Sequence, residues 1–312
     1  MPADLHLQPR FRDRLSYVYV EHAVVEREQS AIVLFEEDRA TEVPVANLTL
    51  LMLGPGTKLS HAAMDVLARN GCLVAWVGEE GVRMYAFGTG GTHSSARLIC
   101  QAKAATDPEA RLQIVRRLYS KRFPEALSPE HSLEQIRGME GNRVRTAYKA
   151  LAERYGIEWH GRNYDRNRLL GADPPNAALS AANSCLYGVC HAAILSLGFS
   201  AALGFIHVGK QLSFVYDVAD LYKIELSVPV AFREAAAGTT DLERRVRCAM
   251  RDEFRRTQFL QRVASDLLEL FPDAPNEDLG EYDDDPALPG SYWDGSPGGV
   301  SYGRDDSDPN GG

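Results

Sequence analysis

Hydrophobic and polar positions along the chain change period once, and that change divides it. Between residues 15 and 53 the runs LSYVYVEHAVV, SAIVLFEE and ATEVPVANLTLLML are rich in β-branched and aromatic residues and broken by short polar or Gly/Pro stretches. This pattern predicts several short strands. A short helix follows, with Ser60 as N-cap, HAAMDVLARN as its body and Gly71 as its stop. CLVAWV, GEEG and VRMYAFG then read as a hairpin. A β-rich module spanning 1–88 is expected, with GTGGTHSS supplying a linker over 89–95.

From Ala96 the period becomes helical. Asp107-Pro108 has the chemistry of an N-cap and first helical position, for a helix running to about Phe123. Ser132 with Gln135 forms a capping box that opens a helix lasting until Gly156. Residues 157–175 read as a polar loop carrying Arg162, Tyr164 and Arg166, and Asn176 can cap a further helix ending at Gly198. Helical stretches from about Ser213 and from Asp241 to Leu270 complete an all-α part over 96–271. The fold class is therefore α+β: a β-rich N-terminal domain, an all-α C-terminal domain and an acidic tail.

Composition refines this picture in three places. The chain is 312 residues long, 45% hydrophobic and 25% charged, which is ordinary globular composition. No run of roughly 20 apolar residues suggests a membrane span, and MPADLHLQPRFRDR lacks a secretory core. Cys72, Cys100, Cys185, Cys190 and Cys248 are scattered without a C-x-x-C pair, so they read as small buried residues in a reducing compartment. The net charge of −9 is concentrated: residues 272–312 hold eleven acidic residues and one basic residue, which leaves the other 271 residues at +1. The near-neutral body is compatible with a polyanionic partner. The tail has too few aliphatics to offset its ordering entropy and is expected to be disordered alone. Its Tyr282, Tyr292, Trp293 and Tyr302 either order on a partner or are there by chance.

Candidate chemistry lies in the helical part. Glu140 shares a helical face with Ile136 and Val144, so its carboxylate points inward and needs a partner. A salt bridge to Arg137, Arg143 or Arg145 would suffice; so would a bound cation. Gly138 and Gly141 nearby each cost roughly 1 kcal/mol of helix propensity and leave room for a close approach by another backbone or a nucleic-acid strand. In GFIHVGKQLSFVYDVADLYK, with Ser213 as N-cap, Asp217 and Asp220 stand three apart on one helical face. Either this is a solvated face or a cation lies between them, and Mg²⁺ or Mn²⁺ would suit the oxygen donors. His207 is either a satisfied core histidine or a nitrogen ligand.

Five stretches in order resemble the CRISPR-associated spacer-acquisition integrase/endonuclease, the larger adaptation subunit, of the type I-E kind. They are GPGTKLSHAA (54–63), CLVAWVGEEGVRMYAFG (72–88), EQIRGMEGNRVRTAY (134–148), SAANSCLYGV (180–189) and GFIHVGKQLSFVYDVADLYK (204–223). The likeness runs from about Leu15 to about Leu270. It implies that Glu140, His207 and Asp220 are metal ligands and that Asp217 belongs to the same catalytic site. It also implies insertion of short foreign DNA into a CRISPR array by attack of a 3′-OH on a target phosphodiester. The implied partners are double-stranded DNA (captured spacer precursor and leader-repeat), a second copy in a homodimer, and a small ferredoxin-like protein completing a heterohexamer. Its implied setting is the prokaryotic cytoplasm, with no membrane.

Lys58, Arg83, Arg137, Lys210 and Lys223 match or neighbour basic family positions on the DNA path, and Tyr164, Tyr187 and Tyr216 match tyrosines near the active site. Arg244 and Arg247 belong to a second basic stretch, and from Arg97 to Lys149 eleven basic residues face six acidic ones. Such contacts position a duplex without reading its sequence. One departure is His22, where a close relative type carries a tyrosine that stacks on the duplex end. Two other functions fit the same residues: a metal-dependent nuclease acting alone on branched DNA in repair, and a non-catalytic DNA-clamping scaffold.

Overall fold

The computed structural model describes residues 16–29, 31–45, 48–78, 84–88, 95–123, 125–128, 130–162 and 173–274. The N-terminal part carries strands β1 (Ser16–Val20), β2 (Val24–Glu28), β3 (Ala31–Phe35), β4 (Ala40–Pro44), β5 (Leu48–Leu53), β6 (Lys58–Leu59), β7 (Leu73–Val77) and β8 (Met84–Phe87). Helix α1 (His61–Arg69) connects β6 to β7. Among the described residues the strands form two four-stranded sheets, ordered β1-β5-β7-β8 and β4-β3-β2-β6. In the first, β5 pairs in parallel with both β1 and β7. Parallel strands covered on both faces have no polar side, which explains why LLML (50–53) and CLVAWV are continuously apolar rather than alternating. The expected β7–β8 hairpin is present as an antiparallel pair.

One face of the first sheet shares a core with the second sheet and α1, through Val25, Ile32, Leu34, Leu51, Leu67 and Val74. On the other face, Leu50, Met52, Leu73, Ala75 and Val77 pack with Ala192 of the helical domain. At the turn between β1 and β2, His22 is exposed and has φ 51°.

The C-terminal domain is helical: α2 (Ala96–Thr106), α3 (Pro108–Arg122), α4 (Leu133–Tyr155), α5 (Pro174–Ser196), α6 (Ser213–Ala219), a π-helical turn (Lys223–Ser227), α7 (Val228–Ala236), α8 (Leu242–Arg256) and α9 (Phe259–Leu270). Local chemistry sets most of these ends. Ser132 and Gln135 form the reciprocal capping box of α4, and Gly156 at φ 66° ends that helix in the left-handed conformation glycine tolerates. Asp107 caps α3, accepting from the Ala110 amide. Three boundaries differ from the sequence reading. Asp173, not Asn176, caps α5, because Pro174 occupies the first turn and the Asp173 carboxylate reaches the Asn176 amide at 3.0 Å. Ser213 is the first residue of α6 rather than its cap, with its hydroxyl bonded back to Lys210. The stretch after Asp241 is two helices, parted at Gln258 with φ 47°.

Helix α5 corrects a further expectation, for by length and composition alone it could cross a membrane. It is instead mostly buried at the centre of the domain, packed by α6, α7, α8 and α9. A helix apolar all round has no exposed face to mark with charge. Among the described residues the cysteines form no disulfide, and Cys72, Cys185 and Cys190 are buried. The 89–94 part of the expected linker and the tail beyond Ala274 lie outside the described residues.

Candidate active site

The site forms where the loop joining α5 to α6 meets α3, α4 and the turn after α6. Fully buried Gln101 of α2 pins that loop from outside: its amide oxygen accepts from Ser200 N at 2.7 Å and its nitrogen donates to Leu203 O at 2.9 Å. Arg111 of α3 donates to Phe205 O at 2.8 Å. From inside, the buried Asp217 carboxylate receives the Phe205 and Ile206 amides on one oxygen, at 2.6 and 3.0 Å. Its other oxygen receives the His207 amide at 2.8 Å and faces His207 Nδ1 at 2.7 Å. Gly204 lets the loop fold this tightly, since a Cβ there would overlap the His207 carbonyl oxygen and lie 2.7 Å from Ser213 Cβ.

Asp217 is therefore the organiser of the loop. This hydrogen bond raises the His207 imidazole above the ordinary histidine value; partial burial opposes it, and Asp220 adds to it. With Nδ1 engaged by Asp217, the other ring nitrogen is left for a ligand, and the side chain is 43% exposed.

Glu140 and Asp220 meet around cations. Glu140 is 13% exposed and pairs in a fork with Arg143, at 2.8 and 3.1 Å. Asp220 caps the C-terminal end of α6 and pairs with Lys223 at 2.5 Å. Arg122, at the end of α3, places Nη1 3.7 Å from each carboxylate. Burial works against the Lys223 ammonium, but Asp220 and the Tyr187 hydroxyl outweigh it and hold its pKa above the ordinary lysine range. Lys223 also lies over the Tyr187 ring at 5.1 Å, and Tyr187, Tyr216 and His207 continue as edge-to-face neighbours.

Within the protein the two carboxylates have separate partners: Asp217, inside the helix, is held by amides and imidazole, while Asp220, at its end, pairs with Lys223 and Arg122. Of the arginines open to Glu140 on its own helix, Arg143 makes the salt bridge. Among the described residues no three His, Cys, Asp or Glu side chains form a ready metal cage.

A cleft of ≈ 370 Å³ opens beside this group, lined by Glu140, Asp220 and Lys223 at one side and by Tyr148, Trp159, Arg145 and Arg162 elsewhere. Among the described residues a Cβ at Gly138 would meet nothing within 4 Å and one at Gly141 would lie 3.9 Å from the Arg145 guanidinium, so no other backbone of the described chain approaches either glycine closely. Of the nominated contact residues, Lys223, Tyr187 and Tyr216 are gathered at the site, and exposed Lys210 lies on the loop that carries His207. Exposed Arg137 is on α4, Lys58 is exposed on β6 and Arg244 is exposed on α8, where Arg247 pairs with Glu243 at 3.6 Å. Arg83 and Tyr164 lie outside the described residues. Arg122 was missed, although a signal existed: Val115, Leu118, Tyr119 and Arg122 share one helical phase, and the first three are core residues.

Paired carboxylates, an oriented imidazole and several buried or half-buried cations beside an open cleft describe a protein that handles phosphate esters. Comparison with known proteins makes this specific. The family model for "CRISPR associated protein Cas1" matches residues 16–128 and 119–263. CRISPR-associated endonuclease Cas1 2 of Thermus thermophilus is 53% identical over 303 residues, covering 96% of this chain and 93% of its own. CRISPR-associated endonuclease Cas1 of Escherichia coli K12 is 43% identical, covering 86% and 90%. The crystal structure of a TtCas1–DNA complex superposes with a TM-score of 0.75 at 56% identity, covering 84% of this chain and 98% of that one. The chain belongs to the Cas1 family. It is a CRISPR-associated endonuclease and integrase of spacer acquisition.

Proposed function

We propose that Glu140, His207 and Asp220 hold a Mg²⁺ or Mn²⁺ ion and that the chain uses this site to join a DNA 3′ end into a CRISPR array. The observation that carries this is the Asp217–His207 contact beside the Glu140–Asp220 pair. A carboxylate that engages one imidazole nitrogen fixes the ring so that the other can act as a ligand, an arrangement habitual around metal-bound histidines. Two carboxylate oxygens and one imidazole nitrogen suit either ion. The carboxylates already share one positive neighbour in Arg122. When bound, the ion supplies Lewis-acid polarisation of the scissile phosphate and stabilises charge on the attacking or leaving oxygen.

The protein's own groups do the rest by positioning and charge. Asp217 fixes the His207 ring, while Lys223, kept protonated and 23% exposed, can turn from Asp220 to a phosphate oxygen. Tyr187 and Tyr216 offer aromatic edges and hydroxyls to the strand. In the joining step the donor 3′ oxygen forms a new bond to phosphorus and the target 3′ oxygen leaves with a proton. One phosphodiester replaces another, so no covalent protein intermediate is needed.

Lys58, Arg83, Arg137, Tyr164, Lys210, Arg244 and Arg247 extend the DNA path by phosphate contacts, so binding weakens with salt in proportion to the charges neutralised. The five ordered sequence stretches support assignment to the type I-E kind. They also support action as homodimers bridged by a small ferredoxin-like protein, on captured duplexes and a leader-repeat, in the prokaryotic cytoplasm. The test is strand transfer by Glu140→Ala, His207→Ala and Asp220→Ala proteins with unchanged folding. Each is expected to lose metal-dependent joining by about 100-fold or more; near-normal joining would remove the residue from the ligand set.

A further inference from the structure

Arg122 is the feature of the site that the function above leaves unused. Its side chain is 4% exposed and ends α3 against the ring of Tyr119, 5.1 Å from the centroid. Nη2 donates to the Asp217 carbonyl at 3.2 Å, and Nε is buried with no hydrogen-bond partner among the described residues. Nη1 stands 3.7 Å from Glu140 Oε1 and 3.7 Å from Asp220 Oδ2, midway between two carboxylates and beyond hydrogen-bond distance of both. Arg143 pairs with Glu140 and Lys223 with Asp220; among the described residues Arg122 is the cation paired with both.

Three physical facts give this position a consequence. A guanidinium does not lose its proton in a protein, so the charge is permanent. The side chain is buried among packed residues, so it cannot swing into solvent as Lys223 can. A divalent ion held by Glu140 and Asp220 would stand within a few ångströms of that charge, where like charges repel strongly in a partly desolvated site. Without an ion, the same guanidinium screens two carboxylates that would otherwise repel. Attraction without a direct hydrogen bond to either oxygen leaves both free to change partner.

We propose that Arg122 is a resident counter-ion: it holds Glu140 and Asp220 together when no divalent cation is bound, and it competes with that cation, setting the affinity of the site. This rests on Glu140 and Asp220 being the metal-binding carboxylates. Arg122 acts through them and is a positioning residue. The site is consequently stable and assembled in the absence of metal, at the expense of metal affinity.

The test is Mn²⁺ titration of the full-length, DNA-free protein by electron paramagnetic resonance, with thermal unfolding in parallel. Arg122→Gln is expected to bind Mn²⁺ about 5-fold or more tightly than the wild type, because a fixed repulsive charge is gone. Its metal-free form is expected to melt lower, and Mn²⁺ should restore more stability than it adds to the wild type. Arg122→Lys keeps the charge and should bind within about 2-fold of the wild type. Equal or weaker binding by Arg122→Gln, with the wild type binding normally, overturns the proposal. Absence of Mn²⁺ binding by the wild type overturns the metal reading itself, and this inference with it. If Arg122→Gln folds only with Mn²⁺, the proposal is supported. If it folds under neither condition, the Mn²⁺-bound wild-type crystal structure decides. Arg122 drawn back from the carboxylates supports competition, and Arg122 unmoved between them refutes it.

Discussion

Replacing Asp217 by Asn removes one charge and almost no volume, yet it should dismantle the loop that carries His207. The Asp217 carboxylate receives two amides on one oxygen and an amide plus the His207 ring on the other, all between 2.6 and 3.0 Å. Asparagine offers one oxygen and an amino group. With its oxygen toward Phe205 and Ile206, it loses the bond to the His207 amide and leaves that donor unmatched, and the His207 ring can accept from the amino group only in the tautomer that protonates its other nitrogen. Hydrogen bonds to a charged group contribute about 1.5–3 kcal/mol each, and a buried donor left unmatched costs a comparable amount. Two such losses come to about 3–6 kcal/mol, and relaxation of the loop brings the expected value to the lower end, about 3 kcal/mol. For a chain of this size that lowers the melting temperature by roughly 6–12 °C. Scanning calorimetry reads the stability, and single-turnover joining of a short duplex reads the chemistry, which should fall even at temperatures where the variant is fully folded. A variant melting within a degree of the wild type, with joining intact, would refute the organising role of Asp217.

Two further predictions address the same loop and the contact between the domains. Gly204→Ala should cost about 2–4 kcal/mol, because its Cβ meets backbone and Ser213 rather than a movable side-chain end, and calorimetry would show it. His191 of α5, packed edge-on to Phe87 at 5.6 Å, is held by burial at a pKa of about 4, below the usual 6.5. The unfolded chain takes up that proton first, so His191 costs nothing above pH 6.5, and stability declines as pH falls from there toward 4. The full loss is about 3 kcal/mol by the difference of the two values. Urea unfolding of His191→Leu between pH 7 and 4.5 should lack that part of the slope, and an unchanged slope would assign it elsewhere.

The sequence was most legible where structure follows local chemistry. Ser132, Gln135 and Gly156 set both ends of α4, and the phase of Ile136 and Val144 turned Glu140 inward, as observed. Legibility failed where a residue's role depends on what arrives from far along the chain. The spacing of Asp217 and Asp220 left a solvated face or a shared cation open, and the partners of a buried carboxylate cannot be read from spacing. Asp217 is satisfied by amides ten to twelve residues upstream. Arg122 reaches the site from α3, 18 residues before Glu140 and 98 before Asp220, and appeared only as one basic residue among many. Helix α5 was passed over as a span because Asn, Ser and His interrupt its apolar residues. In the fold those positions are satisfied internally, as where Asn183 accepts from Ser227 at 2.8 Å.

The most direct measurement is half-site integration of a short duplex into a leader-repeat target, with and without Mg²⁺ or Mn²⁺ and with and without the small partner. Site-selective joining that requires the ion and is strengthened by the partner is the expected result. Joining that persists in chelator, or duplex binding with no turnover when ion and partner are both supplied, would contradict the account.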